Sequence, residues 1–264
     1  MDKRRKHEQS EDLIFGRNAV LQALRAGSDV RRILLAHGTK RDGMLGELLA
    51  LAQTEDVPVV EVERDALDRL VPRGSLHQGI VAEAGEFEYV DLQDILTAAK
   101  SQDEPPFLLL LDNVQYVTNF GALIRTAEIL GVHGVIIPEH RQASVTAQVR
   151  KASAGAVDFM NIAQVTNLAQ TIEELKKQGV WVVGIEEAPK AIPYNKGDYT
   201  VPLAFVVGSE VDGLRRLTRE KCDYMVQLPM WGKTPSLNVS VAGSVVLYEA
   251  RMQRLAKNIG PKVR

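Results

Sequence analysis

Short apolar runs alternate with helix-period stretches through most of this chain, and no other feature limits its possible folds so sharply. After Phe107 the runs fall at 108–111, 134–137, 161–164, 180–185, 203–207 and 225–227, and the helical patterns at 121–130, 146–153, 168–178, 214–222 and 239–255. Runs that are apolar on both sides and spaced by helices predict a mostly parallel sheet covered on both faces. Residues 13–86 repeat the alternation on a smaller scale, with helical patterns at 18–26 and 44–53 and further elements at 32–36, 57–62, 65–71 and 79–84. They predict a small α/β domain. The stretch 87–106 is polar and ends in Pro105-Pro106, which resist both helix and central strand, so a linker is expected there, with room for a helical turn at 92–99.

Composition bounds the rest. With 264 residues, 45% of them hydrophobic, the chain has material for two domains, 13–86 and 107–264. Residues 1–12 mix Lys3-Arg4-Arg5-Lys6 with acids and lack the apolar core of a signal peptide, so a disordered lead-in is expected. A net charge of -2 neither announces nucleic acid nor excludes it, because local basic patches suffice to hold phosphates. The single cysteine, Cys222, can form no intramolecular disulfide and fits no cysteine-rich zinc site, which predicts a reducing cytoplasm and no metal. No apolar run approaches the ~18 residues of a membrane-spanning helix, so no membrane partner is expected.

Three junctions carry the chemistry. In the first, Asn119-Phe120-Gly121-Ala122-Leu123-Ile124-Arg125 follows the strand ending at Leu111-Asp112. Thr118 or Asn119 can cap the next helix, since their side-chain oxygens accept from its free amides. Side chains lean toward a helix N-terminus, which brings Arg125 over the small residues Gly121 and Ala122; an ion pair with Glu128 is the alternative. In the second, Gly208-Ser209-Glu210 directly follows the run 203–207, and Asp212-Gly213 precedes a helix. Its glycine spacing matches neither a dinucleotide fingerprint nor a phosphate loop. Glu210 is either a ligand-facing acid or a helix N-terminal charge. Gly232-Lys233-Thr234 resembles the end of a phosphate loop, but Gln227 stands where the earlier glycine is required. In the third, Ser236 or Asn238 can cap the final helix. All three lie at the carboxyl ends of strands, where open α/β sheets place their ligands.

Together these motifs resemble the SpoU (TrmH) family of RNA ribose methyltransferases, and the match spans nearly all of 111–249, including Lys151-Ala152-Ser153-Ala154-Gly155-Ala156 and Val165-Thr166-Asn167-Leu168. The resemblance implies S-adenosylmethionine as methyl donor, a SPOUT-type C-terminal parallel sheet with a trefoil knot, and a homodimer whose site draws on both subunits. Carried over by position, the family's polar catalytic set falls on Asn119, Arg125, Glu210, Ser236 and Asn238. Its backbone pocket for the adenosyl group falls on Gly208, Leu228 and Leu237. Two positions depart from the pattern: Tyr116-Val117 replaces the usual Asp-Pro, and Val211 the usual glycine.

The N-terminal region, with Phe15-Gly16-Arg17-Asn18-Ala19-Val20 and Leu76-His77-Gln78-Gly79-Ile80, resembles the L30e-like substrate-binding domain of the RlmB-type ribosomal RNA methyltransferases. That resemblance implies a guanosine of large-subunit ribosomal RNA as target. Transfer RNA, or a non-catalytic RNA-binding role on the same scaffold, are the alternatives. Arg17, Arg31, Arg32, Arg73 and His77 are candidate phosphate contacts.

Overall fold

A computed structural model describes residues 13–140 and 142–261; the expected lead-in at 1–12 lies outside them. The described residues divide into two compact units, one within 13–88 and 145–159, the other within 89–144 and 160–261. The first opens with β1 (Leu13–Phe15), α1 (Arg17–Arg25), β2 (Val30–Ala36), α2 (Gly43–Thr54), β3 (Val59–Val62), α3 (Arg64–Leu70) and β4 (Ile80–Ala84). The second begins with α4 (Leu92–Ser101), β5 (Phe107–Leu111), α5 (Val117–Ile129) and β6 (Gly134–Pro138). The chain then supplies α6 (Ala147–Ala152) to the first unit. The second unit resumes with β7 (Ile162–Val165), α7 (Leu168–Lys177), β8 (Trp181–Ile185), β9 (Ile192–Pro193), β10 (Leu203–Val207), α8 (Arg216–Lys221), β11 (Tyr224–Gln227) and α9 (Val239–Ala256).

The first unit holds a four-stranded sheet in the order β1-β4-β2-β3, in which only β2 and β3 run parallel. Side chains alternate across a strand. Ile33 and Leu35 of β2 therefore enter a core with Val20, Leu24, Leu45 and Leu48, while Leu34 and Ala36 enter another with Leu67, Val71 and Ala147.

The second unit holds seven strands in the order β7-β6-β5-β10-β8-β11-β9, paired in parallel. β5 is buried along its whole length, the condition under which an all-apolar run is favoured over an alternating one. Leu108 and Leu110 face a core with Ile136, Ile172, Leu175 and Val206. Within 87–106, where the sequence reads as a polar connection, the chain forms the ten-residue helix α4, capped by Asp91 and burying Ile95, Leu96 and Ala99. From β5 the chain steps outward through β6 to β7, then crosses to β8 and places β10 between β8 and β5. The resulting switch point, between β5 and β10, is where parallel sheets open a crevice beyond their carboxyl ends. Among the described residues no helix is long and apolar enough to cross a membrane.

Candidate active site

At the carboxyl end of the sheet, on the β8 and β11 side of β10, lies a cavity of about 460 Å³, within the ~300–1,000 Å³ usual for small-molecule sites. The ends of β8, β10 and β11 and the start of α9 form its walls. Gly208, Leu228 and Leu237 line it together with Ile185 and Val226. Leu237 is 46% exposed, so it walls the cavity and belongs to no core. Among the described residues the charged groups in the lining are three carboxylates, Glu186, Glu187 and Glu210.

The turn after β10 is rigid for local reasons. Ser209 and Gly213 exchange two backbone hydrogen bonds, and the Asp212 amide donates to Ser209 Oγ at 2.9 Å. A Cβ on Gly208 would lie 2.2 Å from the Gly213 carbonyl carbon, so Gly208 is required by the turn's own backbone as well as by any ligand. Two acids pin the turn to neighbouring strands. Glu186, just past β8, accepts from the Leu214 amide at 2.9 Å and pairs with Arg219. Asp112, fully buried just past β5, accepts from the amide and Nε of Arg215 at 2.9 and 2.5 Å. These bonds occupy the amides of Leu214 and Arg215, and α8 accordingly starts at Arg216, not at 214 as the pattern predicts. Neither acid was singled out from sequence, although each directly follows an apolar run, the signal by which it could have been found.

Glu210 reaches from this turn to the start of α5. Its carboxylate accepts from the amides of Gln115 and Tyr116 at 3.4 and 3.3 Å and from Asn119 Nδ2 at 2.9 Å. Asn119 Oδ1 in turn accepts from Asn238 Nδ2 at 3.0 Å, and Asn238 Oδ1 accepts from the Ser240 amide at 2.9 Å as the N-cap of α9. Three residues far apart in sequence thus form one chain of hydrogen bonds joining the ends of β10, α5 and α9. A carboxylate facing free amides at a helix start is favoured by their partial positive charge.

Capping by Thr118 or Asn119 does not occur. α5 begins at Val117 with Tyr116 as its N-cap, so Asn119 lies inside the first turn, where its side chain is turned to Glu210 and Asn238. Val117 occupies the first helical position, the one that suits proline because its amide has no helical partner. Val211 is 81% exposed and does not take the left-handed backbone that would call for glycine.

Ser236 lines the cavity, but its hydroxyl bonds to no described residue. Arg125 is exposed on α5, does not line the cavity, and pairs neither with Glu128 nor with any other described acid. Asn119, Glu210 and Asn238 are therefore brought together, Ser236 stands alongside, and Arg125 stands apart.

In the first unit Arg17 pairs with Asp42, Arg31 with Asp29 and Arg32 with Glu83, while Arg73 is exposed and pairs with no described acid. His77, expected as a phosphate contact, is 2% exposed; it bonds Asp68 at 2.9 Å and accepts from the Gly79 amide. It is an internal brace of the 77–79 turn.

Comparison with known proteins identifies the family and the fold. The SpoU rRNA Methylase family model matches residues 106–248, and a model described as RNA 2′-O ribose methyltransferase substrate binding matches residues 13–90. A Bacillus subtilis protein placed in the TrmH family of tRNA/rRNA methyltransferases is 39% identical over 93% of this chain and 97% of its own. A Mycolicibacterium gilvum protein described as an uncharacterized tRNA/rRNA methyltransferase is 41% identical over 95% of this chain and 80% of its own. Among solved structures, the SpoU methyltransferase AviRb of Streptomyces viridochromogenes, in complex with AdoMet, superposes with a TM-score of 0.78 at 25% identity, covering 97% of this chain and 95% of that one. An RNA 2′-O ribose methyltransferase superposes at 0.75 with 26% identity, covering 95% and 92%.

Proposed function

The chain belongs to the SpoU rRNA methylase family, and from that membership we propose that it methylates a ribose 2′-hydroxyl of ribosomal RNA, at a guanosine of the large subunit, in the cytoplasm. S-adenosylmethionine is the methyl donor, and its bound form supplies an electrophilic sulfonium methyl. The cavity suits that group. Its apolar walls Ile185, Val226, Leu228 and Leu237 fit an adenosyl ring, and the carboxylates of Glu187 and Glu210, which pair with no described lysine or arginine, favour a cationic donor.

The hydrogen-bonded chain Glu210–Asn119–Asn238 at the edge of the cavity carries this reading. Transfer from a bound donor would give the ribose oxygen its methyl group, and the hydroxyl proton would pass to solvent water. It needs the ribose oxygen held in line, which is a positioning task. Asn119 and Asn238, each fixed by two or more partners, are preorganised to orient a ribose; Ser236 offers beside them a hydroxyl that bonds to no described residue. A guanidinium is a fixed cation with no acceptor, so the part of Arg125 is to hold an RNA phosphate and stabilise the developing alkoxide.

Arg125 stands away from the cavity of its own chain, which favours a site completed by a second copy. One face of α9 supports the same view: Val241, Tyr248, Met252 and Leu255 are 47%, 57%, 48% and 38% exposed at helical spacing. Ile129, one turn beyond Arg125 on α5, is 64% exposed. α5 and α9 pack directly, through Thr126 Oγ1 and Ser244 Oγ at 2.8 Å and through Leu123 against Gly243. A homodimer burying this face would bring Arg125 to the partner's cavity. A trefoil-knotted path in the second unit belongs to the same proposal.

The test is a map of ribose methylation on ribosomal and transfer RNA from cells with and without the protein. Loss of one large-subunit guanosine site is expected. Loss confined to transfer RNA would move the substrate, and an unchanged map would leave a non-catalytic RNA-binding role.

A further inference from the structure

The loop between β11 and α9 carries an exposed aromatic that the methyl-transfer site does not use. Leu228, Met230 and residues 235–238 of this loop line the cavity, so its ends are anchored there, whereas Trp231 projects from it and is 90% exposed, the highest value among the exposed large hydrophobics of the described residues. The next residue, Gly232, has open space where a side chain would stand, and Lys233 is exposed and pairs with no described acid. Leaving an indole in water forfeits the gain of burying it. An aromatic face beside an unpaired ammonium is how single-stranded nucleic acid is held: the ring stacks on a base and the cation tracks the backbone.

We propose that Trp231 stacks on a base of the RNA next to the nucleotide whose ribose is methylated, with Lys233 on the adjoining phosphate. This rests on the methyl-transfer reading and adds a positioning residue to it. The place is suitable because a ribose presented to the cavity leaves its neighbouring bases at the cavity's edge, one residue from Met230. A second protein copy is a poorer fit for this tip, because lysine is depleted from interface cores.

The chain has two tryptophans, and the other, Trp181, begins β8 at the end of the sheet remote from the cavity. In the full-length Trp181→Phe protein, emission therefore reports Trp231 alone. Titration with an unmodified large-subunit ribosomal RNA transcript is expected to quench it. In methyl-transfer assays with the same transcript, Trp231→Ala should raise KM for RNA about tenfold, with kcat and affinity for S-adenosylmethionine within about twofold, and Trp231→Phe should recover most of the loss. A KM for Trp231→Ala within about twofold of wild type overturns the proposal. So does emission that ignores RNA but shifts on dilution of the protein, which would place the indole against a second copy. Absence of methyl transfer by the wild-type protein would fail the functional reading alone, and the emission titration would still decide the stacking.

Discussion

Arg125 and Asn119 belong to the same seven-residue motif, yet the fold treats them differently. Asn119 is buried and bonded on both sides, whereas Arg125 is exposed and paired with nothing described. An exposed, unpaired side chain contributes little to stability, so Arg125→Ala separates chemistry from folding. Methyl transfer should fall by at least about a hundredfold, as for loss of a transition-state donor. The thermal midpoint and the calorimetric affinity for S-adenosylmethionine should stay near wild type; unchanged turnover would remove Arg125 from the site. The residue types of this network were legible in sequence, as were their places at strand ends. Their pairing was not, because the bonds from Asn119 to Glu210 and to Asn238 join residues 91 and 119 positions apart. Glu186 and Asp112 each follow an apolar run, but their amide partners Leu214 and Arg215 lie 28 and 103 positions away, so the run marks the acids without showing what they hold.

At the scale of elements, propensity explains where helices lie better than where they start. The predicted 239–255 and the observed Val239–Ala256 coincide because Asn238 is a strong local cap. α5 starts four residues before its predicted 121, because its start is held by Glu210 from another strand end and not by a cap of its own. The exposed face of α9 leads to a prediction at this scale. Tyr248 is 57% exposed at its middle, and a carboxylate there would have to be desolvated in a homodimer. Tyr248→Glu should weaken dimerisation by about 3 kcal/mol, roughly a hundredfold. Light scattering would then show the variant monomeric at concentrations where the proposed wild-type dimer persists, with methyl transfer lost in step. A variant that stays dimeric would rule out this face.

At the scale of the whole molecule, a buried charged cluster ties α9 to the strand starts. Arg254, fully buried, donates to the carbonyls of Tyr199, Pro105, Pro106 and Val201 and lies over Phe107 at 4.7 Å. Arg251 donates to the carbonyls of Leu130 and Gly131, and its Nη1 lies 3.8 Å from Glu104. His133 stands among these groups, accepting from the Phe107 amide through Nδ1 at 3.0 Å and facing Glu104 with Nε2 at 3.6 Å. Burial first, then the charges of Arg254 and Arg251, lower its pKa from 6.5 to about 4. Between these values the unfolded chain binds the proton and the folded one does not, so stability is full above pH 6.5 and falls as pH drops toward 4. The loss is on the order of 3 kcal/mol. Urea midpoints at pH 7 and pH 4.5 should show it, and His133→Asn, which keeps an acceptor for the Phe107 amide, should flatten the slope; equal slopes would discount His133. By itself the sequence determined the class of fold, the three junctions and the family they resemble, because strand and helix periods and cap chemistry are local. Only the tertiary structure decided that Asn119, Glu210 and Asn238 are one network, that His77 is internal and that Arg125 stands apart. The network depends on which strand ends meet, and strand order arises from long-range pairing that no local pattern encodes; the places of His77 and Arg125 depend on which faces of the folded units are covered.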